Sequence, residues 1–230
     1  MQFSNETIQF LKNFAAINSN ILIRKGQTLS TISTAKNIFA RVTVTEDFPV
    51  EVPVYDLNSL LALLTLMENQ QVDFGEKSLT ISKDNGKFEY FYSNASVIVA
   101  APDKNIEIDE HFKFNLSSED VNMIMKAAAI TAAPTISVIS KNGQVTLTIG
   151  DKKNDTANTY KKTIGASDAT FECHMAVENF KIIPDAYSVT VAKKKLFHFK
   201  NATKPLEYFI AMEPDSVIWY FDRRHSLAQF

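Results

Sequence analysis

The stretch SNETIQFLKNFAAINSNILIRKGQTLSTIS, residues 4–33, decides how the rest of the chain is read. Over 4–17, Ile8, Phe10, Leu11, Phe14 and Ile17 fall on one side at helical spacing, while Gln9, Lys12, Asn13 and Ala16 fall on the other. The spacing predicts an amphipathic helix. After Asn18 the pattern changes to Ile21, Leu22 and Ile23, a turn at Lys25 and Gly26, and a second extended run over 27–33, which reads as a hairpin. The unit is therefore helix, strand, turn, strand.

The same order returns three times. Asp56 is placed to cap a helix over 57–68, followed by strands 78–83 and 87–92 around Asp84, Asn85 and Gly86. Ser117, Ser118, Glu119 and Asp120 form a capping pattern ahead of Val121, Ile124, Met125 and Ala128, and strands 136–140 and 145–149 flank Asn142 and Gly143. In the fourth copy a short helix near 176–181 stops before Pro184, and 186–192 pairs with 195–200 across Lys193 and Lys194. Helix starts at Asn5, Asp56, Ser118 and Ala176 recur roughly every 50 to 60 residues, too long for a solenoid repeat. They fit two similar domains, 1–102 and 113–230, each built on a duplicated motif and joined by a linker over 103–112 where Pro102, Asp103 and the acidic Glu107, Asp109 and Glu110 interrupt the strand patterns. Helices set among hairpins, without regular strand-helix-strand alternation, place the chain in the α+β class with antiparallel sheets.

Composition narrows the function. The 230 residues are 45% hydrophobic and 22% charged with only 6 Gly and 7 Pro, so fibrous and disordered classes fall away. A net charge of −2 excludes a uniformly basic surface, and any nucleic-acid contact has to be regional. The single cysteine, Cys173, has no internal disulfide partner, and the start of the chain lacks the pattern of a signal peptide, so a cytoplasmic setting is expected. The longest apolar run, 60–67, falls far short of the roughly 20 residues that cross a bilayer, so no membrane partner is expected.

Catalytic signatures fail on their required residues: there is no Gly-rich phosphate loop, nucleophile elbow, paired zinc cysteines or His-Glu-x-x-His helix. Cys173 and His174 are adjacent, but neighbours in an extended segment point to opposite faces and do not converge on one metal or one substrate. His111, His198 and His225 stand apart from any local ligand set. No enzyme activity, cofactor or metal is expected. The cations are more informative, because Lys12, Lys126 and Lys181 occupy the polar sides of three of the four repeated helices. Taken singly they are solvated lysines. In repeated, equivalent positions they would form a shallow track suited to phosphates without base readout. Lys83, at a strand end, is expected on the outer surface.

With these residues in place, the chain resembles the DNA polymerase sliding clamps of T-even-type bacteriophages. The resemblance is carried by residues 11–19 (LKNFAAINS), 55–58 (YDLN) and 179–184 (NFKIIP), with weaker matches over 118–128 and 208–216. It implies a DNA-clamp fold, a six-domain ring made from three copies of a two-domain subunit, with helices lining the hole and sheets outside. It also implies duplex DNA held topologically, a tethered replicative DNA polymerase, an ATP-driven clamp loader, and the cytoplasm of an infected bacterial host.

On that resemblance the DNA-facing candidates are Lys12, Asn13, Lys126 and Lys181. The partner-peptide pocket is placed near the domain junction at Ile98, Pro102, Ile106, Tyr208 and Phe209. The subunit interface is placed on two edge strands, 96–101 with Val97 and Val99, and 159–164 with Tyr160 and Ile164. The second helix, with Asn58, Ala62 and Thr65 on its least apolar face, departs from the pattern by offering no cation. Residues 217–230 extend past the family's usual end, and Trp219, Tyr220 and Phe221 are expected to cover the last sheet. The competing reading is a β-rich self-assembling virion or scaffold protein without DNA function; an uncharacterised hydrolase comes third.

Overall fold

A computed structural model describes residues 1–67 and 69–219 of the chain. In chain order the elements of the first half are α1 (Asn5–Ile17), β1 (Ile21–Ile23), β2 (Gly26–Ile32), β3 (Ile38–Phe48), β4 (Val52–Val54), α2 (Leu57–Leu66), β5 (Gln71–Phe74), β6 (Ser78–Lys83) and β7 (Gly86–Phe91). The second half carries β8 (Glu110–Leu116), α3 (Ser118–Thr131), β9 (Thr135–Lys141), β10 (Gln144–Gly150), β11 (Tyr160–Ala166) and β12 (Phe171–Ala176). It continues with β13 (Tyr187–Ala192), β14 (Leu196–Asn201), β15 (Leu206–Ala211) and β16 (Val217–Ile218). The strands pair antiparallel, as the α+β reading requires. Two compact units result: residues 1–106 with 181–183 and 203–209, and, among the described residues, 107–180 with 184–202 and 210–219.

In the first unit, α1 starts at Ser4, whose hydroxyl accepts the Thr7 N–H at 3.1 Å. Phe10, Leu11, Phe14 and Ile17 are buried as their spacing predicts, but Thr7 takes the inward place expected of Ile8. The reason is Glu46 of β3. Its carboxylate is buried at the start of α1, accepting the Ser4 N–H at 2.5 Å and the Thr7 hydroxyl at 2.6 Å, where the helix dipole favours negative charge. Burial acts to raise its pKa, and the bonds from Ser4 and Thr7 outweigh that and hold it below the ordinary carboxylate value.

Asp56 caps α2 as expected, accepting the N–H groups of Asn58 and Ser59 at 3.0 and 3.1 Å, and Leu57, Leu60, Leu61 and Leu64 point into the core. Each such leucine contributes about 1.5–3 kcal/mol by burial. The hairpin expected over 21–33 is not formed. β1 pairs with β4, and β2 pairs instead with the eleven-residue β3, whose longer ladder satisfies more backbone groups; Gly26, at φ +107°, redirects the chain between them. The second hairpin is formed as read, β6 pairing with β7 across a turn with Asp84 at φ 52°.

In the second unit, Ser117 and Asp120 close a reciprocal capping box on α3, and Val121, Ile124 and Ala128 face inward. β9 and β10 meet at Asn142 and Gly143, both at positive φ as a tight hairpin turn demands. These two strands lie in the sheet order β11-β10-β9-β12-β16. β13 bridges β14 and β8, burying Tyr187, Val189, Phe197 and Phe199.

Two further expectations are corrected. No strand occupies 96–101: Ala95–Val97 is one 3-10 turn, because the Asn94 side chain accepts the Ser96 N–H at 2.9 Å and starts a turn there. Nor is there a fourth helix at 176–181. β12 runs through Ala176, which provides no side-chain cap, and only the single turn Val177–Asn179 follows before Pro184. The predicted end of the second helix, Glu68, lies outside the described residues, as do Tyr220 and Phe221.

Candidate nucleic-acid interface and partner cleft

Helical periodicity puts Lys12 on the exposed side of α1, and the structure leaves it there. It lines an open groove of about 790 Å3 between α1 and α2, with Asn58, Leu61, Ala62, Thr65 and Leu66 of α2 and with Lys83 at the end of β6. Lys83 is thus not on a separate outer face. The β6–β7 turn folds back against α2, and a Cβ on Gly86 would stand 3.4 Å from Cε of Met67, the residue that ends that helix. Sequence reasoning missed Lys83 because a strand end shows no helical spacing; its signal was the Asp84-Asn85-Gly86 turn directly after it.

Asn13 is half-buried and structurally engaged. Its amide donates to the Lys181 carbonyl at 3.0 Å, and its Oδ1 accepts the Tyr208 hydroxyl at 2.8 Å, while that hydroxyl accepts the Ile183 N–H at 3.2 Å. Lys181 lies outside any helix or strand, and its ammonium donates to the Ala16 carbonyl at 2.9 Å, satisfying an end group of α1 where a cation is favoured. Lys126 is exposed on α3, beside Met123 and Ile130, which are 46% and 84% exposed.

A second feature of the first unit is a cleft of about 470 Å3 lined by Thr28, Ser30, Phe39, Arg41, Thr43, Pro102, Asp103, Lys104, Asn105 and Glu207. Arg41 is its organiser: the guanidinium bonds Asn105 at 2.9 Å and pairs with Glu207 at 2.9 Å, fastening the 102–105 segment. Of the residues expected to form a peptide pocket, Pro102 lines this cleft, and Phe209 lies behind Phe39 with ring centroids 5.4 Å apart. Ile98 and Tyr208 are buried, and Ile106 is half-buried. Phe39, Arg41 and Glu207 were not singled out from sequence, since a strand's alternation marks which side chains face out but not which strands border a cleft.

Among the described residues, β7 and β11 stand at the edges of their sheets, β7 paired with β6 and β11 with β10. β7 carries Phe91, 67% exposed. β11 carries the half-buried Tyr160 and Ile164, whereas Val97 lies in the 3-10 turn and Val99 donates its N–H to the Asn20 side chain at 3.1 Å.

Cys173 and His174, neighbours on β12, have separate surroundings. Cys173 is fully buried, and burial pushes its thiol up to about 12. His174 hydrogen-bonds through Nδ1 to the Ser137 hydroxyl at 2.8 Å, and burial holds its pKa below the ordinary value. Among the described residues no helix is long and apolar enough to cross a membrane.

Helices packed on antiparallel sheets in two units, with an open groove between paired helices, define a protein of the DNA-clamp class. Solved clamps share the architecture: the proliferating cell nuclear antigen of Thermococcus kodakaraensis superposes with a TM-score of 0.67 at 13% identity, covering 92% of this chain and 98% of that one. The DNA polymerase sliding clamp of Caulobacter crescentus gives 0.66 at 13% identity, over 91% of this chain and 63% of that one. Residues 4–100 match the family model described as DNA polymerase processivity factor, and residues 113–214 match the gp45 sliding clamp, C terminal. The sliding clamp of Vibrio phage KVP40 is 32% identical over 93% of this chain and 99% of that one, and the sliding clamp of Enterobacteria phage T4 is 27% identical over 94% and 98%. The chain belongs to the phage sliding clamp family of DNA polymerase processivity factors.

Proposed function

We propose that three copies of this chain close a six-domain ring around duplex DNA inside an infected bacterial cell and tether the replicative polymerase, with an ATP-driven loader opening the ring. The observation that carries this reading is the paired arrangement itself: the two family models match in order along a chain of two helix-on-sheet units. Holding DNA by topology removes the need for tight phosphate contacts, so a few exposed cations such as Lys12 and Lys126 suffice in a chain of net charge −2. No catalytic step is assigned to the chain. Lys181 and Asn13 act here mainly by fastening α1, and Lys12 and Lys126 carry the DNA contact.

The edge strands β7 and β11 are the proposed joining edges, since an unpaired ladder needs a partner. Phe91, with Val97 and Val99 just beyond it, would meet Tyr160 and Ile164 of the next copy. Client proteins would bind through short apolar peptides in the cleft bordered by Phe39, Arg41 and Pro102, with Phe209 packed against Phe39.

Native mass spectrometry should give three times the chain mass, and the protein should raise loader-dependent polymerase processivity. Lys12→Glu with Lys126→Glu should abolish most of that gain at unchanged oligomeric mass, whereas Lys77→Glu should not. A monomer across micromolar concentrations, or processivity untouched by the double reversal, would overturn the reading.

A further inference from the structure

We infer that Lys83 is a DNA-contacting residue, and that the groove between α1 and α2 seats a phosphate backbone between Lys12 on one wall and Lys83 on the other. This rests on the clamp reading above. The helix α2 has no basic residue in its last turn, although its last carbonyls and a passing phosphate both favour a cation there. Lys83 supplies it from a different element. Lys83 pairs with Gly86 across the hairpin turn, and Gly86 sits against Met67 at the end of α2, so the register of β6 fixes the lysine at that end of the groove.

Three properties favour a phosphate as the occupant. Among the described residues, no acidic side chain lines the groove. Lys12 and Lys83 are both exposed, and among the described residues neither ammonium has a carboxylate or carbonyl partner, in contrast to Lys152, Lys162, Lys193 and Lys194, which are paired to acids, and Lys181, which is held by Ala16. Asn58 and Thr65 line the same groove as the two cations and offer uncharged donors to phosphate oxygens. Contacts of this kind to phosphate oxygens carry no sequence information, so the binding is expected to be independent of sequence and sensitive to salt.

The test compares the full-length protein with Lys83→Gln, Lys83→Glu, Lys12→Glu, Lys126→Glu and Lys77→Glu. Lys77 immediately precedes the opposite end of β6, about 20 Å from Lys83 at the usual rise of a strand, and serves as the control. Affinity for a fluorescein-labelled duplex is measured by anisotropy across a NaCl titration, with native mass and circular dichroism verifying assembly and folding. The expected result is weaker binding for both Lys83 variants, with the slope of log affinity against log salt reduced by about 1 for each phosphate no longer neutralised, and no change for Lys77→Glu. If the Lys83 variants bind as the parent does while Lys12→Glu and Lys126→Glu weaken binding, the clamp reading stands and the assignment of Lys83 is overturned. If the parent protein itself shows neither salt-dependent duplex binding nor loader-dependent processivity, the clamp reading fails and the assignment fails with it.

Discussion

The hydroxyl of Tyr208 donates to Oδ1 of Asn13 across 2.8 Å, joining residues 195 positions apart in the chain. Tyr208 is fully buried, and the same hydroxyl receives the N–H of Ile183, so one oxygen fastens two late segments of the chain to the first helix. Removing it leaves Asn13 Oδ1 and the Ile183 N–H without that partner. Tyr208→Phe should cost about 1–3 kcal/mol in chemical denaturation, the range for unpairing a buried polar group. Asn13→Ala combined with Tyr208→Phe should cost clearly less than the sum of the two single changes, because they break the same bond. Additive costs would show that the bond contributes nothing.

The carboxylate of Glu46 gives stability a defined pH dependence. Its folded pKa lies below the ordinary carboxylate value, so its contribution is fully present above that ordinary value and is lost as pH falls through the folded pKa. Glu46→Gln should lose about 1–2 kcal/mol at neutral pH, the scale of a charged hydrogen bond at a helix start. The variant and parent should then converge in stability on acidification. Thermal melts recorded from neutral to acid pH check this, and a constant gap between the two proteins would exclude Glu46 as the source.

Charge on the exposed edge of β7 should weaken assembly without unfolding the chain. Phe91 is 67% exposed in the single chain, so Phe91→Asp removes little from its core. At an interface the same change buries an unpaired carboxylate, and native mass should shift toward monomer at dilute concentration. Ile164→Asp on β11 should do likewise. A full trimer from both variants would move the joining edges elsewhere.

Cys173 should behave as a core residue. With its thiol fully buried and pushed up to about 12, it is almost entirely protonated at neutral pH and shielded from reagents. Alkylation by iodoacetamide should be negligible in the native protein and complete in denaturant. Rapid native labelling would show that the β9–β12 region opens locally.

Local signals in the sequence determined α1, α2, α3 and most of the tight turns. Ser4, Asp56 and Ser117 cap the helices they precede, and Asn142-Gly143 and Asp84-Asn85-Gly86 close the hairpins they mark, because capping and turn formation need only groups within a few residues. The buried faces of α1, α2 and α3 follow likewise from a 3.6-residue period. The tertiary structure decided whatever depends on which strand lies beside which. β1 and β2 each read as an extended run, yet whether they pair with one another or with β4 and β3 is a competition between ladders that no local pattern encodes. The same holds for single side chains: Thr7 displaced Ile8 because Glu46, distant in sequence, arrives beside it, and Lys181 stands at the end of α1 rather than on a helix of its own. Lys83 joined the groove for the same physical reason, since a hairpin's register carries a strand end to a place that only the packed helix beneath it defines.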